Sequence, residues 1–234
     1  MKSTMWLREA SRPFAARAAR LCCLLACVGW ANVLGGCAAS EEMVTKSEGY
    51  YQEGVANLSG DRQQAFVSFQ RSVQLNPNNK KSRYALGHVY ALQGKLARAE
   101  EEFRTAINID EDYSEAHTYL GQVLANQNHW DEAIKSYRRA LTNPIYSTPD
   151  LARFHLGRAL AHTGDFQGAM EALEDAMTVS PPNVPPAMTQ LELGRVYHKL
   201  GYTVRAREAL KKVTALDKGG EHAAAANELL ARLK

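Results

Sequence analysis

Four cysteines and seven histidines are the residues of this 234-residue chain best suited to nucleophilic or metal chemistry. The cysteines are Cys22, Cys23, Cys27 and Cys37; the histidines are His88, His117, His129, His155, His162, His198 and His222. Protein zinc sites need ligands at short, matched spacings, such as His-Glu-x-x-His or paired Cys-x-x-Cys, and neither occurs. The acidic run Glu100-Glu101-Glu102 has the composition of an acid–base or cation site. Consecutive helical residues point about 100° apart, so those carboxylates diverge and read as a solvated face. No Gly-x-x-x-x-Gly-Lys-Ser/Thr, Gly-x-Ser-x-Gly or dinucleotide fingerprint is present. The expectation is therefore no catalytic residue, no metal, no cofactor and no small-molecule substrate. What remains is a binding module.

The charge distribution separates a leader from the rest. Residues 1–36 hold five basic residues (Lys2, Arg8, Arg12, Arg17, Arg20) and one acid, Glu9. Taking these from the chain totals of 28 and 25 leaves 23 basic and 24 acidic residues beyond them, which argues against a nucleic-acid partner. Leu21 to Leu34 is a 14-residue, mostly apolar run, too short to span a bilayer and of the length of a secretory h-region. It ends in Leu34-Gly35-Gly36-Cys37, which resembles the lipobox of bacterial lipoproteins. That resemblance implies cleavage before Cys37, diacylglycerol on its thiolate and acylation of its new amino group. Cys22, Cys23 and Cys27 leave with the leader, so Cys37 has no intrachain disulfide partner and reads as a membrane anchor. Ala38 and Ala39 stand where an Asp would signal inner-membrane retention, which points to the outer membrane, periplasmic face.

Beyond the leader the sequence repeats. Leu-Gly pairs recur at Leu86-Gly87, Leu120-Gly121, Leu156-Gly157 and Leu193-Gly194, spaced by 34, 36 and 37 residues. Seven residues past each Gly stands Gly94, Asn128, Gly164 or Gly201; twelve past, Ala99, Ala133, Ala169 or Ala206; sixteen past, Phe103, Tyr137, Leu173 or Leu210; nineteen past, Ala106, Ala140, Ala176 or Val213. This resembles the tetratricopeptide pattern, in which each repeat is a hairpin of helices A and B. Gly and the first Ala suit a close A–B crossing, the bulky residue suits the space between repeats, and Pro77 and Pro181 suit B-helix ends. An earlier repeat shows Gly54, Gly60, Ala65, Phe69 and Pro77, with the first spacing one residue short. Trp130 opens a B helix and reads as packing across the A–B turn. The Pro-containing insertions at 143–150 and 180–186 are expected to be stiff and to widen the local stacking.

The organisation expected is a lipoprotein signal peptide over 1–36, a lipidated tether over 37–42 and an all-α superhelix over 43–219. Its five repeats lie at about 43–78, 80–112, 114–147, 150–184 and 187–219, and a C-terminal capping helix occupies 220–234.

Such arrays usually bind partners on the concave face of their A helices. Three residues before each Gly stand Tyr51, Tyr84, Thr118, Phe154 and Leu191; one after, Val55, His88, Gln122, Arg158 and Arg195; five after, Ser59, Leu92, Asn126, His162 and Lys199. The candidate groove is Tyr51, Val55, Tyr84, His88 and Leu92 at one end and Phe154, Arg158, Leu191 and Arg195 at the other, the mix of aromatics and Arg that binding hot spots favour. Tyr51 and Tyr84 fit inter-repeat core equally well. The basic end suits acidic side chains or a C-terminal carboxylate, and suits a solvated rim as well.

A lipobox at Cys37 followed directly by a small tetratricopeptide array resembles the pilotin lipoproteins of type IV pilus systems, the PilF/PilW and Tgl group. Members typically carry six repeats, against five and a capping helix here. The resemblance implies an outer-membrane secretin subunit as partner, brought to the membrane through the lipid at Cys37 and assembled into the ring the pilus crosses. The other role weighed is an adaptor lipoprotein of β-barrel assembly or of peptidoglycan-hydrolase scaffolding.

Overall fold

The computed structural model describes residues 40–233, and the leader and Cys37 lie outside them. Eleven helices and no strand occupy the described residues. Helix α1 runs over 40–57. It is followed by α2 (Arg62–Leu75), α3 (Lys80–Leu92), α4 (Leu96–Ile109), α5 (Ser114–Asn126), α6 (Trp130–Ala140), α7 (Pro149–Thr163), α8 (Phe166–Ala176), α9 (Pro186–Lys199), α10 (Thr203–Leu216) and α11 (Glu221–Arg232). The first ten pair into five hairpins, each stacked on the next.

Local chemistry sets the boundaries. Asp61, Asn79 and Asp165 cap α2, α3 and α8 by accepting from the N–H three residues on. In four of the five hairpins the A–B turn contains a left-handed residue: Gly94, Asn128, Gly164 and Gly201, with φ of 71°, 65°, 91° and 78°. The following residue then donates to a carbonyl five back, as Lys95 does to Tyr90 at 2.9 Å. The first hairpin differs. Its A helix ends only three residues past Gly54, and Gly60 is not left-handed, which is how its spacing loses one residue.

The A-helix glycine of each repeat lies under the bulky residue of that repeat. A Cβ added at Gly54, Gly87, Gly121, Gly157 or Gly194 would stand 2.4–2.8 Å from Phe69, Phe103, Tyr137, Leu173 or Leu210. The sequence placed this side chain between repeats; it first closes the A–B crossing of its own hairpin. Phe103 also reaches Tyr119 of the next repeat, at 6.1 Å between ring centroids. Gly121→Ala is expected to cost about 2 kcal/mol, because the buried Tyr137 ring has nowhere to move. Gly49→Ala meets nothing within 4 Å in helix α1 and is expected to stabilise by about 0.5 kcal/mol. Urea unfolding followed by circular dichroism separates the two signs.

At the first stack Ser72 occupies the place of the alanine nineteen past Gly, one residue early. Its hydroxyl donates to the Ser47 carbonyl at 2.7 Å and meets the Ser82 hydroxyl at 2.6 Å. All three serines are fully buried, so this junction is hydrogen-bonded at the place where the later repeats carry Ala106, Ala140, Ala176 or Val213.

Each insertion takes up chain that the B helix before it gives up. Helices α6 and α8 stop at the nineteenth-position alanines, Ala140 and Ala176, three residues earlier than α4 and α10 stop relative to their own glycines. Pro181 therefore stands five residues beyond α8 and does not end it. The freed chain turns back and buries Tyr146 and Val184. Tyr146 shares a 2.9 Å hydrogen bond with the Thr118 hydroxyl. Asp150, 1% exposed in the first turn of α7, accepts from the backbone N–H groups of Asn183 (2.6 Å) and Val184 (3.1 Å) and from the Asn183 amide (2.9 Å). One insertion is thus pinned by the helix that follows the other. At the far end α11 seals the stack with Ala223, Ala226 and Leu233, and Arg207 donates to the Leu233 carbonyl at 2.8 Å.

Candidate protein-binding groove

Positions one and five past each Leu-Gly glycine are four apart and share a helix face. In α5, α7 and α9 they bring Gln122 and Asn126, Arg158 and His162, and Arg195 and Lys199 around one open pocket of ≈ 380 Å³. Its walls are completed by Trp130, Tyr137, His155, Phe166 and Glu192, among others. The Trp130 indole stacks on the His162 ring, with centroids 3.8 Å apart and planes at 17°. Trp130 thus reaches into the next repeat rather than only across its own turn. His155 lies parallel to Tyr137 at 5.9 Å, and burial, with Arg158 nearby, pushes its pKa down to about 4, so it is neutral at pH 7. Arg158 stands over the Phe154 ring at 5.7 Å, and Arg195 pairs with Glu192 at 2.7 Å.

The other end of the groove is apolar. Val55 and Leu92 are 44% and 60% exposed. His88 packs edge-on against Tyr119 at 5.1 Å, and burial lowers its pKa. Tyr51 is half-buried, 6.0 Å from Phe69.

Residues three before each glycine are corrected by the structure. Phe154 and Leu191 are 2% and 5% exposed, and Thr118 is fully buried. Phe154 and Leu191 line a second pocket together with Arg158 and Arg195, with little of either side chain exposed. Tyr84 is half-buried among Phe103, Tyr113 and Tyr119, at 5.4–5.9 Å, and burial raises its hydroxyl pKa. The reason is helical drift. Steps of four residues advance about 40° each, so the side chain eight positions on has turned about 80° from the core toward solvent.

The acidic run diverges: Glu100 pairs with Arg104 at 2.9 Å and Glu102 with Arg83 at 3.0 Å. Among the described residues no three His, Cys, Asp or Glu side chains gather as a metal-binding group, and no helix is long and apolar enough to cross a membrane.

Tetratricopeptide-repeat family models match residues 68–101, 87–128, 118–185 and 189–219. The structure is similar to that of PilF from Pseudomonas aeruginosa, at 22% identity over 83% of this chain and 85% of that one, with a TM-score of 0.71. It is similar to PilW, a widely conserved type IV pilus biogenesis factor, at 24% identity over 80% of this chain and 91% of that one, with a TM-score of 0.68. YrrB, a tetratricopeptide-repeat protein with an unusual peptide-binding site, is matched at 20% identity over 76% and 90% of the two chains, with a TM-score of 0.62. In sequence, cellulose synthase operon protein C of Xanthomonas axonopodis pv. citri is 30% identical over 187 residues, 77% of this chain and 12% of that protein. An uncharacterised Haemophilus influenzae protein is 27% identical over 84 residues, 36% of this chain and 47% of that one. The chain thus spans less than half the length of either relative.

Proposed function

Because this chain is an all-helical tetratricopeptide-repeat superhelix with an open A-helix groove, we propose that it is a pilotin: an outer-membrane lipoprotein that binds the type IV pilus secretin and promotes its assembly. The observation that carries the reading is the fold's match to PilF and PilW over at least four-fifths of each chain. The leader ending in Leu34-Gly35-Gly36-Cys37 supports it. Lipid at Cys37 holds the array at the periplasmic face of the outer membrane, and tethering raises the effective concentration of a bound secretin segment there. Val55, Leu92 and His88 line the half of the groove that takes the apolar side of that segment.

A deletion strain scored for heat- and SDS-resistant secretin multimers in outer-membrane fractions tests this. The expected result is loss of multimers with monomers still present, restored by the wild-type chain and not by Cys37→Ser. Normal multimers in the deletion strain overturn it and send the search to other envelope complexes.

A further inference from the structure

The two halves of the groove differ in charge as well as polarity. The pocket across α5, α7 and α9 carries Arg158, Arg195 and Lys199 against one lining carboxylate, Glu192, which is tied to Arg195. Among the described residues Arg158 and Lys199 have no carboxylate within 4 Å, as holds for several other surface cations; what sets them apart is that they gather with Arg195 around one pocket. Arg158 and Arg195 occupy the same position of consecutive repeats, and Lys199 follows Arg195 by one helical turn. All three are exposed. Gln122 and Asn126 add carboxamides, which donate and accept and so match a peptide backbone. Toward the cap the cationic surface ends at Glu221, which borders the adjoining pocket.

We infer that this half of the groove receives an acidic, extended stretch of the partner polypeptide, with its carboxylates on Arg158, Arg195 and Lys199 and an apolar or aromatic side chain against the Trp130–His162 stack. Planar guanidinium groups suit carboxylates, and three exposed cations set against a single carboxylate are complementary to an acidic chain. The inference rests on the groove being the protein-binding face and not on the partner being a secretin. It also sets direction: the partner's apolar part lies on the first two repeats and its acidic part on the last three.

The test uses fluorescence anisotropy of the purified protein with a labelled dodecapeptide that alternates Glu and Asp with Leu and Tyr. The same peptide with Gln and Asn for every acid, and one with Lys for every acid, are the comparisons. The acidic peptide is expected to bind at least tenfold tighter than the amide peptide, and that preference shrinks as salt is raised. Arg158→Glu combined with Lys199→Glu is expected to abolish the preference with thermal unfolding unchanged, since both side chains are exposed. Glu192→Gln, which removes the competing carboxylate, is expected to tighten acidic binding severalfold. Equal affinity for acidic and amide peptides, or a preference that survives the double reversal, overturns the inference. Such a result alongside lost secretin multimers in the deletion strain leaves the pilotin reading standing. An acidic preference alongside normal multimers removes the pilotin reading alone.

Discussion

Asp150→Ala is expected to lower the stability of the array by about 3 kcal/mol, because the buried Val184 N–H and the part-buried Asn183 N–H lose a charged acceptor. The Asn183 amide is exposed and can turn to water, so it adds little. Burial by itself would raise the Asp150 pKa; the Asn183 side-chain and backbone donors, with the Val184 and Leu151 N–H groups, outweigh it and hold the carboxyl below the usual range. The pH dependence follows. A depressed folded pKa contributes stability that is full above the ordinary Asp value, about 4, and is lost as pH falls through the folded value. The difference between wild type and variant should be flat from pH 7 to 5 and narrow below about 4. Asp150→Asn should recover much of the lost stability, since one oxygen, Oδ2, accepts both backbone N–H groups and an amide oxygen can take its place, leaving the NH₂ to face only the Asn183 side chain. Urea unfolding by circular dichroism at several pH values checks this, and an Asp150→Ala difference below 1 kcal/mol at pH 7 contradicts it.

The second large effect is at Tyr84. Truncation to alanine removes a ring packed on Phe103, Tyr113 and Tyr119 and is expected to cost about 3 kcal/mol. Tyr84→Phe keeps the ring and should stay within about 1 kcal/mol of wild type. Leu92→Ala, at a side chain already 60% exposed, should change stability by less than about 0.5 kcal/mol. A loss of partner binding in Leu92→Ala with full stability is then a groove effect, whereas in Tyr84→Ala it is a folding effect. Calorimetric binding beside thermal unfolding separates them. Equal stability of the two alanine variants contradicts the placement of Tyr84 in the core.

The contrast between Tyr84 and Leu92 shows how far the sequence could be read. Repeat length, hairpin count and turn positions were legible because each has a local steric signature: a glycine under a ring, a left-handed turn residue, a small residue at a helix crossing. The groove stripe was half legible. Arg158, Arg195, His162 and Lys199 follow from four-residue spacing, but Phe154 and Leu191 share that stripe and are buried, because the stripe twists into the stack. What escaped was contact across insertions. Nothing in the spacing of Asp150 announces that it accepts from Asn183, and Pro-containing segments that read as stiff spacers instead fold into turns that bury Tyr146 and Val184. The Trp130–His162 stack joins two repeats through side chains 32 positions apart, which no local pattern reveals.

That stack has an optical consequence. The chain holds three tryptophans, and Trp6 and Trp30 fall before Cys37. In the chain that the proposed cleavage before Cys37 would leave, all indole emission originates at Trp130, in van der Waals contact with an imidazole and bordering open solvent. Its colour and lifetime follow the wetness of that one wall. The protein therefore carries its own occupancy gauge: a guest lying over the stack dries the indole and shifts its emission to the blue, with no label attached.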